Sequence, residues 1–196
     1  MTLPSDINQL FFEIIHGDKC VLEFEQWVYS DKRLESLLGS DNYLDLISYD
    51  YKSKSSNHVL LKRMLKKWID KGSYEKWRLL KLLKKSLQRD KELPNILMTF
   101  YNLYCKGYSF FDSLGLGYGL AVEVPYPQAD YWHELTVEQQ QDLLGGFYPQ
   151  INIEIKKVIN WLDNEKVIPT GEVDEYNHFK YIDNRAEEDR NSNYKK

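Results

Sequence analysis

Apolar residues in the first half of the chain recur at three- and four-residue intervals, the spacing that gathers them on one face of a helix. Ile7, Leu10, Phe11, Ile14 and Ile15 follow it, with Pro4 and Ser5 suited to the start and Gly17 to the stop. Leu22, Phe24, Trp27 and Val28 predict a short second helix. Asp31 can cap a third that carries Leu34, Leu37 and Leu38 and stops at Gly39; Asp41 can cap a fourth with Tyr43, Leu46 and Ile47 inside. The polar stretch 52–57 reads as a loop whose Ser/Asn end caps a helix from His58 to Lys71, with Leu60, Met64 and Trp68 on its apolar face. Gly72 and Ser73 repeat the stop-and-cap punctuation before a helix from Tyr74 to Arg89, where Trp77, Leu80, Leu83 and Leu87 line one side. Pro94 opens a further helix holding Ile96, Leu97, Phe100, Tyr101 and Tyr104, with Gly107 beyond its end. Helices this short draw their stability from packing on one another rather than from propensity.

The pattern changes after Gly107. Gly115, Gly117 and Gly119 alternate with other residues and predict a loop that admits positive φ. Residues 121–125 read as extended, and Thr136 with Gln139 forms a capping box ahead of Leu143 and Leu144. Pro149 precedes a clear helix with Ile151, Ile155, Val158, Ile159 and Leu162 on one side. Thr170 and Gly171 mark a turn, Tyr176 to Ile182 a strand, and from Asn184 the chain is poor in apolar residues and is expected to fray. The expected fold is mainly α: an array of short packed helices over 1–107, and a less regular lobe over 108–183 that joins it in one body and can include a small β-hairpin. Residues 184–196 are expected to be a tail. Gly39-Ser40 and Gly72-Ser73 lie 33 positions apart, a weak echo best explained as two instances of helix punctuation.

Composition adds limits. The chain has 196 residues, enough to bury roughly 70% of its unfolded surface without a disulfide or metal staple. Cys20 and Cys105 fit no metal or redox spacing and are expected to be reduced, buried thiols. Met1 to Asp6 lacks a basic region leading into an apolar run, and no stretch approaches the ~20 apolar residues of a membrane span, so a cytoplasmic location is expected.

Charge is unevenly placed. Residues 1–51 hold 3 Lys and Arg against 10 Asp and Glu, a net −7; residues 52–91 hold 14 against 3, a net +11; residues 92–196 hold 9 against 17, a net −8. The basic block invites nucleic-acid binding, since clustered cations release counterions from phosphates. The lysines fall between the apolar positions, however, where they coat the wet side of two helices, and the acidic blocks could cancel their field. Nucleic-acid binding through 52–91 is therefore the alternative reading.

Catalytic chemistry is not visible. His16, His58, His133 and His178 are isolated, Ser40 and Ser73 sit at cap positions, and the carboxylate groups Glu23/Glu25, Glu172/Asp174/Glu175 and Glu187/Glu188/Asp189 read as solvated surface. Trp132-His133-Glu134 could bring an imidazole and a carboxylate together, but no nucleophile lies beside them. No catalytic, cofactor-binding or metal-ligating residue is expected, and the protein is not expected to be an enzyme. The aromatic residues differ: 15 Tyr, 5 Trp and 8 Phe form 14% of the chain. Tyr118, Tyr126, Tyr131, Trp132 and Tyr148 fall in the irregular lobe, where helix packing does not call for them, and Tyr and Trp are enriched where proteins bind one another.

Phe24-Glu25-Gln26-Trp27-Val28-Tyr29, then Leu34-Glu35-x-x-Leu38-Gly39 and Tyr43-x-x-Leu46-Ile47-Ser48, resemble the opening of a group of small bacterial cytosolic proteins; Phe147-Tyr148-Pro149, Val158 to Asp163 and Tyr181 to Arg185 resemble their close. The group is identified with immunity proteins of polymorphic toxin systems. The resemblance implies a binder that covers a toxin's active surface, with a basic toxin domain as partner. Complementary charge would speed that encounter. On this reading the contact is expected at Tyr118, Glu123, Tyr126, Asp130, Tyr131, Trp132 and Glu134, joined by Asp41, Asp45 and Asp50.

Overall fold

The computed structural model describes residues 3–52 and 58–190; residues 53–57 of the expected 52–57 loop and residues 191–196 of the expected 184–196 tail lie outside the described residues. Among those described are eleven α-helices and one two-stranded antiparallel sheet, a mainly α fold with a small β-hairpin. The chain divides into two compact units, Met1–Tyr74 and Glu75–Lys196. The change of composition at Gly107 falls inside the second.

In the first unit, α1 (Ser5–His16) buries Ile7, Leu10, Phe11, Ile14 and Ile15 and ends where Gly17, at φ 93°, turns left-handed so that its N–H and that of Asp18 reach the Glu13 carbonyl. Helices α2 (Val21–Ser30), α3 (Leu34–Leu38), α4 (Ser40–Ile47) and α5 (Val59–Trp68) supply Phe24 and Val28, Leu34 and Leu38, Leu46, and Leu61 and Leu65 to the same core. The ring of Phe11 lies at its centre, with the rings of Phe24, Trp27 and Trp68 at 5.9, 6.3 and 6.2 Å. The buried face of α5 is Leu61 and Leu65 rather than Leu60 and Met64. Positions 60/61 and 64/65 offer two overlapping apolar stripes, periodicity cannot choose between them, and packing on α1 does.

Helix α6 (Lys71–Ser86) begins in the first unit and continues into the second. Its start departs from expectation: the Asp70 carboxylate accepts the Ser73 N–H at 2.6 Å, so Asp70 is the cap and Gly72-Ser73 lies within the first turn. Gly39 instead stands ahead of α4 at φ 82°. The two Gly-Ser pairs play different parts, and the echo between them is coincidence.

The second unit is built on α7 (Leu93–Cys105), which buries Leu93, Ile96, Leu97, Phe100 and Leu103. A 3-10 turn (Ser109–Phe111), a π-helical segment (Ser113–Gly119) and α8 (Leu120–Glu123) fold back along it. The alternating glycines are therefore not a positive-φ loop. A Cβ on Gly115 would sit 2.8 Å from the Tyr104 Cβ, and one on Gly119 would sit 2.9 Å from the Tyr101 Cβ, so both let two backbones approach. Residues 121–123, expected as extended, continue this helical run as α8. The 3-10 turn Trp132–Glu134, α9 (Val137–Gly146) and α10 (Gln150–Asp163) follow. The Thr136–Gln139 capping box forms as expected. α10 buries Ile151, Ile155, Val158, Trp161 and Leu162. Strands β1 (Val167–Val173) and β2 (Phe179–Asp183) pair Val167 with Asp183 and Pro169 with Tyr181, with a bulge between Pro169 and Val173.

The expectation that the chain frays from Asn184 is corrected for residues 184–190. Arg185 is buried, forks onto the Asp183 carboxylate at 2.9 and 2.8 Å, and lies over the Trp161 ring. Arg190, at the end of α11 (Glu187–Arg190), donates to the carbonyls of Arg185 and Asp183. Polar bonding holds this segment where apolar burial does not.

Candidate partner interface

From Gly107 to Ile155 the sequence contains no lysine or arginine, while Asp112, Glu123, Asp130, Glu134, Glu138, Asp142 and Glu154 are acidic. The three-block count of charge hides this 49-residue stretch, because its average includes the cations on either side. Among the described residues no ion pair involves Glu123, Asp130, Glu134, Glu138 or Asp142.

The stretch also carries large apolar side chains outward. Tyr126 is 80% exposed, Val137 71% and Tyr131 59%, and Leu116 and Val124 are exposed too. The residues between α8 and α9 hold no regular element longer than the turn Trp132–Glu134, so few partners are available to cover these side chains. Pro125, Leu135 and Leu143 line a cavity of about 320 Å³ there, completed by Gln128, Gln139 and Asp142.

The expected contact residues separate into two kinds. Tyr126, Asp130 and Tyr131 face solvent. Tyr118 and Trp132 do not offer free tips: both are half-buried against the core, Tyr118 with its ring edge-on to Phe147 at 5.1 Å. Burial, and then the Glu154 carboxylate, push the Tyr118 phenol above its ordinary pKa. Tyr148, also part-buried, lies under the Arg89 guanidinium at 3.5 Å. Glu123 is half-buried. Glu134 is exposed but occupied, accepting the N–H groups of Asp130 and Tyr131 at 3.1 and 3.2 Å, so it shapes its own turn instead of meeting His133. The His133 ring stacks on Tyr131. Glu138 and Asp142 also belong to the acidic stretch, and the absence of lysine and arginine marks them in the sequence, whereas the exposure of Leu116, Val124 and Val137 leaves no such mark.

In the first unit Asp41 and Asp45 stand one turn apart on the exposed face of α4 with Leu44, itself 59% exposed, between them. Asp50 is exposed and its carboxylate accepts the Lys52 N–H at 3.1 Å. These three belong to the first unit, and the 116–142 stretch to the second.

The remaining polar groups do not converge. His16 meets Asp18 at 3.1 Å, His58 the Tyr49 hydroxyl at 3.1 Å and His178 the Asp174 carboxylate at 3.5 Å. Asp174 also accepts the N–H groups of Tyr176 and His178, and the resulting backbone bonds hold its carboxyl below the usual range. Cys20 and Cys105 are free thiols, exposed rather than buried because each lies at the edge of a helix. Among the described residues no three of His, Cys, Asp and Glu gather into a group able to hold a metal ion, and no helix is long and apolar enough to cross a membrane. No family model, curated protein or solved structure matches the chain.

Proposed function

We propose that this protein is a non-enzymatic binding module of the bacterial cytoplasm that neutralises a basic toxin domain by covering its active surface. The observation that carries the reading is the cation-free stretch 107–155, in which Glu123, Asp130, Glu138 and Asp142 form no ion pair among the described residues and Tyr126, Tyr131 and Val137 are exposed. Such a surface supplies both halves of a tight inhibitor interface. Uncompensated negative charge steers a basic partner and speeds encounter, and exposed aromatic side chains bury large area at low entropic cost once contact is made. Neutralisation by coverage requires no catalytic group. The test is direct: the product of the neighbouring gene is purified, its binding to this protein is measured, and its toxicity is scored with and without co-expression. Tight binding with rescue supports the reading, and toxicity unchanged by co-expression overturns it.

One observation favours a second reading, nucleic-acid binding through the basic helices of 52–91. Arg63, Lys66 and Lys67 of α5 and Lys84 and Lys85 of α6 are exposed, and among the described residues none is ion-paired. Retention of labelled duplex or single strands with a steep salt slope would favour it over the first.

A further inference from the structure

The cavity beside α9 has walls and a mouth of different chemistry. Pro125 and Leu135 are buried and Leu143 is half-buried, giving an apolar lining. Gln139 is already engaged, its side-chain oxygen accepting the Thr136 N–H at 2.9 Å. That leaves Gln128 and Asp142, both exposed, as the lining side chains with acceptor oxygens free for a cationic ligand, and Asp142 as the one charge. No lysine or arginine within the surrounding stretch can answer that charge, and Glu138, one turn earlier on the exposed side of α9, adds a second negative group.

We infer that this cavity receives a basic side chain projected by a protein partner, its methylene stem against Pro125, Leu135 and Leu143 and its cationic head at Asp142. The inference rests on the protein-binding reading above and names the chemistry of the contact. Charge complementarity selects the occupant: an apolar ligand would leave the Asp142 carboxylate without a partner, and an anion would meet that carboxylate and no cation. Long cationic side chains combine an apolar stem with a charged end, as the cavity does. Arginine fits better than lysine, because its planar fork can engage a carboxylate and an amide oxygen together and is more weakly hydrated.

The experiment uses the full chain, labelled with 15N, titrated with Nα-acetyl-arginine amide, Nα-acetyl-lysine amide and the neutral isostere Nα-acetyl-citrulline amide. Saturable shifts confined to the amides of Gln128, Leu135, Gln139, Asp142 and Leu143 are expected, strongest with arginine. Citrulline and the Asp142→Asn chain should each bind about tenfold more weakly, the loss of one charge-assisted contact. Gln128→Arg, which supplies the chain's own guanidinium at the rim, should block the titration while leaving the fold intact. Shifts spread over all acidic surfaces, or an affinity unchanged in Asp142→Asn, would overturn the inference. A toxin that binds wild type and Asp142→Asn equally well removes the cavity assignment and leaves neutralisation standing. Capture of arginine amide with no toxin binding removes neutralisation instead.

Discussion

The Tyr108 phenol donates to the Glu75 carboxylate at 3.1 Å, joining two positions 33 residues apart inside the second unit. Both residues are buried, and the Arg78 guanidinium forks onto the same Glu75 carboxylate at 2.6 and 2.9 Å. Tyr108 also stacks on Phe179, with ring centroids at 4.8 Å, so one side chain ties α6, the segment after α7 and the hairpin together.

Tyr108→Phe keeps the ring and removes the donor. It should destabilise the protein by about 1–3 kcal/mol, the cost of leaving a buried acceptor short of a partner, as read from urea unfolding. Burial, followed by the charge on Glu75, raises the Tyr108 phenol well above its ordinary pKa. The unfolded phenol loses its proton near pH 10 while the folded one keeps it, so stability falls as pH climbs past about 10. The substitution should make that alkaline decline shallower. Tyr51, raised mainly by its own burial, will leave part of it in place.

Asp183→Asn should be among the most damaging surface-proximal changes. Arg185 is 5% exposed and would lose the carboxylate its guanidinium forks onto, costing about 3 kcal/mol in chemical denaturation. The Arg185 fork holds the Asp183 carboxyl below its ordinary range. Its contribution is therefore complete above about pH 4 and is lost as pH falls through the lowered value. The acid limb of the stability curve should flatten in the variant.

Gly117 and Gly119 make an internal comparison. A Cβ on Gly119 collides with the Leu97 carbonyl and the Tyr101 side chain, whereas one on Gly117 meets nothing within 4 Å. Gly119→Ala should cost about 1–3 kcal/mol through overpacking, and Gly117→Ala should be neutral or stabilise by about 0.5 kcal/mol. Thermal melts of the two single variants decide the matter.

For the interface, Tyr126→Ala and Tyr131→Ala should each weaken partner binding by about 1–2 kcal/mol with an unchanged melting temperature. Tyr118→Ala should lower the melting temperature, because that ring is packed against Phe147. Calorimetry and melting on the same preparations separate the two effects.

On α4, Asp45→Lys turns a like-charged i,i+4 pair with Asp41 into an attractive one. It should raise stability by a few tenths of a kcal/mol, or about 0.3 kcal/mol. Stopped-flow association with the partner then shows whether this patch takes part: slower, less salt-dependent association places it in the encounter surface, and unchanged kinetics excludes it.

Punctuation chemistry in this chain is local and could be recognised without a structure. Gly17 ends α1, Pro94 lies in the first turn of α7, and Thr136 with Gln139 boxes the start of α9 because each acts within one turn of its own position. The mainly α fold followed from the same kind of reasoning. Choices between near-equal faces did not. Leu61 over Leu60, Tyr118 packed and Tyr126 exposed, and Gly119 against the Leu97 carbonyl depend on what another segment presents, and residue spacing holds no record of that. The cation-free stretch is present in the sequence itself; that its Asp142 borders a cavity walled by Pro125, Leu135 and Leu143 depends on two segments meeting, which only tertiary packing decides.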